Sequence, residues 1–231
     1  MSIAENVAAI RARIDAAAIA AGRDPKQILL CAATKMNDAQ AVQEAIAAGV
    51  DLCGENRVQE LVAKQKENAY EGAPVHFIGH LQTNKVKQVV GKVDVIQSVD
   101  SLRLLKAIDA EAAKQGIVQN ILLEINVGEE ESKSGFQVCE VLPLLEQISE
   151  FGHIFVCGLM AIPPISQNSG DNLKFFQKIS QLSVDITAKK YDNVLVKCLS
   201  MGMSDDFEDA IRCGSTMIRV GTAIFGKRNY A

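Results

Sequence analysis

Three stretches of this 231-residue sequence place reactive or ligand-binding residue types at the edge of apolar runs. One is Met217-Ile218-Arg219-Val220-Gly221-Thr222, where a guanidinium stands inside a hydrophobic segment. Such a group is costly to bury unless an anion or a good acceptor meets it, and a glycine just after it lets the backbone approach a ligand closely. Another is Ile28-Leu29-Leu30-Cys31-Ala32-Ala33-Thr34-Lys35, in which a lysine ends an apolar run. Desolvation there would lower the amine's pKa and make it a nucleophile toward an aldehyde, whereas a lysine at the start of a loop can equally snorkel to water. The last is Leu199-Ser200-Met201-Gly202-Met203-Ser204-Asp205-Asp206, which joins a strand-like run to a helix-like one through a glycine, with hydroxyls at Ser200 and Ser204. Backbone N–H groups in such a junction bind phosphate, and Ser204 can alternatively be a plain helix N-cap. An amine for an aldehyde and a cradle for a phosphate point to a phosphorylated aldehyde held at one site.

That reading requires residues 35 and 219 to meet, and the pattern of elements supplies the means. A helix over 2–21 opens with Ser2 and Glu5 at capping-box spacing and carries Ile3, Val7, Ile10 and Ile14 on one face. Strand-like runs follow at 28–33, 50–53, 75–78, 93–98, 121–127, 154–160, 194–199 and 216–220. Helical stretches lie between them at 38–48, 56–69, 83–90, 101–115, 137–150, 171–189 and 205–213. Strands apolar on both faces, alternating with helices, predict a parallel sheet covered by helices, and eight such units predict closure. The expected fold is an α/β (β/α)8 TIM barrel preceded by an N-terminal helix, one domain over 1–231. An open doubly wound sheet would need a glycine-rich turn after the first strand, and Ala33-Thr34-Lys35-Met36-Asn37 contains no glycine.

In such a barrel the chemistry gathers at the C-terminal ends of the strands. Lys35, Gly54-Glu55-Asn56, Gly79-His80, Ser98, Asn126, Met160, Ser200 and Arg219-Val220-Gly221-Thr222 stand there. His80 could hydrogen-bond to or stack on a ring or be structural, while His76 and His153 are expected to be structural or surface residues. The run 129–135 is expected to be a solvated loop, with Lys133 at the mouth of the site as the minority alternative. No histidines and carboxylates share metal-ligand spacing, so no metal is expected.

The composition sets further bounds. The chain is 48% hydrophobic and 23% charged, with a formal net charge of −4, so no basic surface recommends a nucleic-acid or membrane partner. Six cysteines without a CxxC spacing are expected to be free thiols of a cytoplasmic protein, and no apolar run is long enough to span a membrane. Nothing in the pattern suggests an oligomer, so a monomer is expected.

With these residues assembled, the sequence resembles the pyridoxal phosphate homeostasis protein family, barrels related to the N-terminal domain of alanine racemase and classed as type III among pyridoxal phosphate folds. The resemblance is carried by Ala33-Thr34-Lys35, by Gly54 through Glu60, by His76 through Lys85, by Gly158 through Ile162 and by Leu199 through Gly226. It implies that Lys35 holds pyridoxal 5′-phosphate as an internal aldimine. It further implies that Ser200, Gly221 and Thr222 contact the phosphate, that Asn56 lines the pocket and that Arg219 faces the pyridine nitrogen. His80, Met201 and Gly202 complete the expected cofactor site. Many relatives carry a second lysine where Asn37 stands, and a tryptophan is expected where Val75 stands.

An arginine partner only donates, so it faces an unprotonated ring nitrogen and leaves the ring a poor electron sink. The resemblance implies buffering and delivery of the cofactor, with apo-enzymes as recipients, and a poor electron sink fits that role; the residues alone imply only a bound phosphorylated aldehyde. A weak amino-acid racemase is the alternative, and a cofactor-free Schiff-base aldolase a further one. A racemase would need a second acid/base, usually a tyrosine, and Tyr70 and Tyr191 are expected in helices and Tyr230 at the terminus.

Overall fold

The computed structural model describes residues 1–130, 133–164, 168 and 170–226. It opens with α1 (Ile3–Ala20), whose start is set by the expected capping box: the Glu5 N–H donates to the Ser2 hydroxyl at 3.2 Å and the Ser2 N–H to the Glu5 carboxylate at 2.7 Å. Strands and helices then alternate through β1 (Leu29–Ala33), α2 (Ala39–Ala47), β2 (Leu52–Glu55), α3 (Val58–Lys66) and β3 (Val75–Phe77). A 3₁₀ helix (Thr83–Gln88) leads to β4 (Val95–Val99), α4 (Leu102–Gln115), β5 (Gln119–Ile125) and α5 (Val138–Glu146). The chain continues with β6 (Ile154–Ala161), α6 (Leu173–Lys189), β7 (Val194–Ser200), α7 (Phe207–Arg212), β8 (Met217–Val220) and α8 (Thr222–Phe225). The strands pair in parallel in chain order and β8 closes on β1, with Cys31 opposite Arg219 and Ala32 opposite Val220. This is the barrel the alternation predicts.

Several expected boundaries need correction. The helix expected over 83–90 is a 3₁₀ segment, and the one expected over 137–150 stops at Glu146, followed by a separate 3₁₀ turn at Ile148–Glu150. Pro143 inside α5 has no N–H to give the carbonyl four residues back, which weakens that helix. Tyr70 and Tyr191 lie in the connections after α3 and α6 rather than in the helices, and Tyr230 lies outside the described residues.

The seam where first and last strands meet is sealed by α1. Val7, Ile10, Ile14 and Ala18 pack against Leu30 and Ala32 of β1, Ile218 and Val220 of β8, and Phe207 and Ile211 of α7. With these strand residues turned outward, the period of two turns Cys31, Met217 and Arg219 toward the barrel axis. Cys31, Leu52 and Met217 form one interior cluster and Val95, Leu122 and Met160 another. Two positions further along the same strands, Met217, Leu122, Val95 and Cys198 give way to Arg219, Glu124, Gln97 and Ser200. The interior thus turns from apolar to polar toward the C-terminal ends of the strands. All six cysteines are free thiols, and among the described residues no helix is long and apolar enough to cross a membrane.

Candidate active site at the C-terminal mouth of the barrel

Lys35 stands in a turn directly after β1 that several hydrogen bonds brace. The Asn37 N–H donates to the Thr34 carbonyl at 3.1 Å, and the Asn37 side chain donates to the Lys35 carbonyl at 3.1 Å. Met36 is held at φ 63°, a conformation uncommon for a side-chain-bearing residue, and its N–H donates to Glu60 Oε2 at 2.6 Å. Asn37 is here a brace for the turn.

Beneath the turn lies a buried network that sequence reasoning missed. Glu55, fully buried at the end of β2, accepts from Lys64 Nζ at 2.6 Å, from the Thr34 hydroxyl at 3.0 Å and from the Tyr70 hydroxyl at 3.2 Å. Its other oxygen accepts the Asn56 N–H at 2.7 Å. Lys64 also donates to the Thr34 carbonyl at 2.7 Å, next to Lys35. A buried ion pair contributes little net stability, but one supplied with this many hydrogen bonds fixes geometry. Burial, followed by the Glu55 charge, pushes the Tyr70 phenol upward, so it remains a donor. The available signal was a carboxylate ending an apolar strand, which needs a partner once buried.

The opposite wall comes from β7 and β8. Arg219 is buried, and its Nη1 donates to the Ser200 carbonyl and hydroxyl, each at 2.6 Å, while Nη2 donates to the Ala161 carbonyl at 3.0 Å. Burial lowers its pKa. Three hydrogen bonds on a group with five N–H donors leave capacity for a ligand acceptor. The Ser200 hydroxyl, for which a phosphate contact is expected, donates to Gln97 Oε1 at 2.6 Å while accepting from Arg219. Its single proton is thus already used inside the barrel.

The loop after β7 is fixed largely through its backbone. Gly202 lies at φ +95°, where a Cβ would stand 2.6 Å from the Ala210 Cβ, so only glycine fits between the loop and α7. Its carbonyl accepts the Arg219 N–H at 3.0 Å, tying the loop to β8. Met201 is buried below it. The Met203 N–H is taken by Asp206 at 2.7 Å, and α7 starts after Asp206, so Ser204 is not its N-cap. A Cβ at Gly221 would lie 3.4 Å from the Ala33 Cβ and carbonyl, which puts the end of β8 against the end of β1. Thr222 begins α8 there.

Asn56 and His80 complete the rim. The Asn56 side-chain oxygen is buried without a hydrogen-bond partner, an orphaned acceptor at the end of β2. His80 is exposed, with Nδ1 3.0 Å from Asp100 Oδ2. Glu124, in the apolar run of β5, was missed although a carboxylate in such a run is itself a signal. Burial, then Asp100, pushes its pKa up to about 7, against the pull of Arg219 and His80. Asn126 instead braces the loop after β5, donating to the Glu130 carbonyl at 2.8 Å. Lys133 pairs with Glu130 at 2.7 Å, and Glu131 and Ser132 of that loop lie outside the described residues. Of the other histidines, His76 is buried and His153 is not. Among the described residues no cluster of three or more metal-ligating side chains occurs.

The residues present fit a phosphorylated aldehyde: a lysine on a braced turn, a guanidinium with spare donors, an orphaned acceptor, and a left-handed glycine at 202 packed against α7.

Comparison with known proteins agrees. The family model of the alanine racemase N-terminal domain matches residues 3–229. A pyridoxal phosphate homeostasis protein of Aquifex aeolicus is 40% identical over 230 residues, covering 100% of both chains. A solved structure of a protein of unknown function from Bifidobacterium adolescentis shares 37% identity at a TM-score of 0.91, covering 96% of this chain and 94% of that one. PipY of Synechococcus elongatus, solved with PLP bound, shares 32% identity at a TM-score of 0.83, covering 97% of this chain and 100% of that one.

Proposed function

The chain belongs to the pyridoxal phosphate homeostasis proteins, within the alanine racemase N-terminal domain family, and from that premise we propose that it holds pyridoxal 5′-phosphate on Lys35 and buffers or delivers it. The observation that carries the reading is the closure of β8 on β1, which sets Gly221 against Ala33 and brings Arg219 and the Gly202 loop to the same mouth as Lys35. When bound, the cofactor supplies an aldehyde for a lysine amine and a pyridine ring whose electron demand depends on its protonation. The residues then divide the work. Lys35 holds covalently, the backbone at Gly202, Gly221 and Thr222 receives the phosphate, Asn56 offers its unpaired oxygen, and Arg219 donates to the ring nitrogen.

Arg219 argues for a carrier. Its charge permits only donation, so the ring nitrogen stays unprotonated and carbanion chemistry is disfavoured. Tyr70, bonded to Glu55, is not free to serve as a second acid/base. The carrier acts as a monomer in the cytoplasm and serves apo-enzymes. This role fits a surface without net positive charge.

The test is the absorption spectrum of the protein incubated with pyridoxal phosphate, before and after borohydride, with mass mapping of the labelled peptide. A band at about 420 nm that disappears on reduction, leaving the label on Lys35 and absent from Lys35→Ala, is the expected result. A borohydride-stable label on another lysine, with Lys35 unmodified, overturns the assignment. Turnover of an added amino acid with exchange of its α-proton would move the protein among the enzymes.

A further inference from the structure

Four buried side chains form one continuous line of hydrogen bonds through the barrel. Arg219 Nη1 lies 2.6 Å from Ser200 Oγ, Ser200 Oγ lies 2.6 Å from Gln97 Oε1, and Gln97 Nε2 lies 2.7 Å from His76 Nδ1. All four residues are at most 8% exposed. The direction of every bond follows from the member that cannot be reversed. A guanidinium only donates, so the Ser200 oxygen accepts there and its one proton goes to Gln97 Oε1. The amide is thereby oriented, with its NH2 toward His76 and toward Met217 Sδ at 3.2 Å. A donor aimed at His76 Nδ1 requires that nitrogen to be unprotonated, so the neutral ring carries its proton on Nε2.

We propose that His76 is a positioning residue for the cofactor site: by accepting from Gln97 deep in the barrel it locks the amide, the Ser200 hydroxyl and, through them, the pose in which Arg219 meets the ring. The proposal rests on the reading of Arg219 as the ring's partner. The reversed arrangement has a definite cost. With Nδ1 protonated, the Gln97 oxygen would have to turn to His76, and its NH2 would face a Ser200 oxygen already receiving from Arg219. The Ser200 proton would then be left buried without an acceptor, a penalty that falls on the group contacting Arg219.

The surroundings keep the ring neutral. Burial holds the His76 pKa down to about 4, against the pull of Asp94 before β4. The other titratable groups facing this part of the interior are Cys31 of β1, Cys157 of β6, and Lys197 and Cys198 of β7. Burial pushes Cys157 up to about 11 and Cys198 up to about 12, so neither adds charge near neutrality. His76 also borders a cavity of about 510 Å³ lined by Leu29, Leu122, Cys198 and Met217, residues that precede the polar layer along their strands. The network therefore runs from the cofactor mouth toward the N-terminal end of the barrel.

Nitrogen NMR of the protein with isotope-labelled histidine reads the lock directly. The expected result is a His76 ring held as the Nε2–H tautomer and not titrating at mildly acidic pH. Ser200→Ala, which removes the hydroxyl between Gln97 and Arg219, should release the ring to a tautomer mixture although it does not touch His76. A variant pair carries the consequence to the cofactor. His76→Asn keeps an acceptor at the position of Nδ1, and His76→Phe keeps the bulk without it. With pyridoxal phosphate loaded, the Phe variant should release it about three- to tenfold faster, and the Asn variant should stay within about twofold of the parent. An Nδ1–H tautomer in the parent protein, or equal release from both variants, overturns the proposal. A parent protein that takes up no pyridoxal phosphate overturns the site reading instead, and the tautomer result still decides whether the lock exists. Should the Phe variant fail to fold, the spectra of the parent and of Ser200→Ala decide alone.

Discussion

Burial and Asp100 push the Glu124 carboxyl from its ordinary 4.5 up to about 7, so near neutrality this side chain exchanges a proton while facing the charge of Arg219. The sign of its effect on stability follows. A carboxyl whose folded pKa is raised favours the folded state fully below its unfolded pKa and loses that advantage as pH rises through the folded value. Glu124→Gln should therefore unfold much like the parent at about pH 4.5 and be more stable by about 2 kcal/mol at about pH 8, allowing for partial exposure. Urea titrations at the two pH values check this, and a pH-independent difference would count against it. His76 has the opposite sign. Its folded pKa is depressed to about 4, so its contribution is complete above the ordinary value of 6.5 and is lost as pH falls through about 4. Acid unfolding of His76→Asn, which has no group to titrate, should begin at lower pH than that of the parent.

The turn after β1 depends on α3, an element that supplies no group to the mouth itself. Lys64 reaches from α3 to Glu55 and the Thr34 carbonyl, and Glu60 reaches from the same helix to the Met36 N–H. Lys64→Met would leave the Glu55 charge buried without its partner and should cost about 3–5 kcal/mol in chemical denaturation. The milder Glu60→Gln should leave overall stability within about 1 kcal/mol, because Glu60 is partly exposed, and still loosen the turn holding Lys35. The expected readout is a lower rate of borohydride-trapped labelling at Lys35 with an unchanged unfolding midpoint. In the β7–α7 connection, Gly202→Ala meets both a left-handed backbone and the Ala210 side chain, so a loss of about 2 kcal/mol or more is expected in the same assay.

At the scale of the whole molecule, a site shared by β1 and β8 exists only while the barrel is closed, and α1 covers that closure. Ile14 is fully buried between α1 and the seam, so Ile14→Ala should destabilise by about 2–5 kcal/mol. Loss of bound pyridoxal phosphate on heating should then track unfolding of the barrel, measured as visible absorption against far-ultraviolet circular dichroism. Polar ties reinforce the seam. The Asn6 side chain donates to the Ile224 carbonyl at 2.8 Å, and Arg23 donates to the Ile211 and Ser215 carbonyls at 2.8 and 2.7 Å.

The alternation of apolar strands with amphipathic helices determined the barrel, because burial on both strand faces leaves few other ways to cover a parallel sheet. The lysine that ends the first apolar run, the glycine at 202 and the arginine inside the last strand likewise pointed to the mouth, since each residue type is anomalous for its local setting. Partnership was not legible. Whether Ser200 offers its proton to a ligand or to Gln97, whether Asn37 reaches outward or braces a turn, and whether Glu55 is solvated or paired to Lys64 depend on side chains brought close by closure. Hydrogen bonds and buried charges are settled by contacts within a few ångströms, and residues distant in sequence acquire such contacts only when the sheet closes. Periodicity records which face a residue turns to the interior. Only the tertiary structure decides what it meets there.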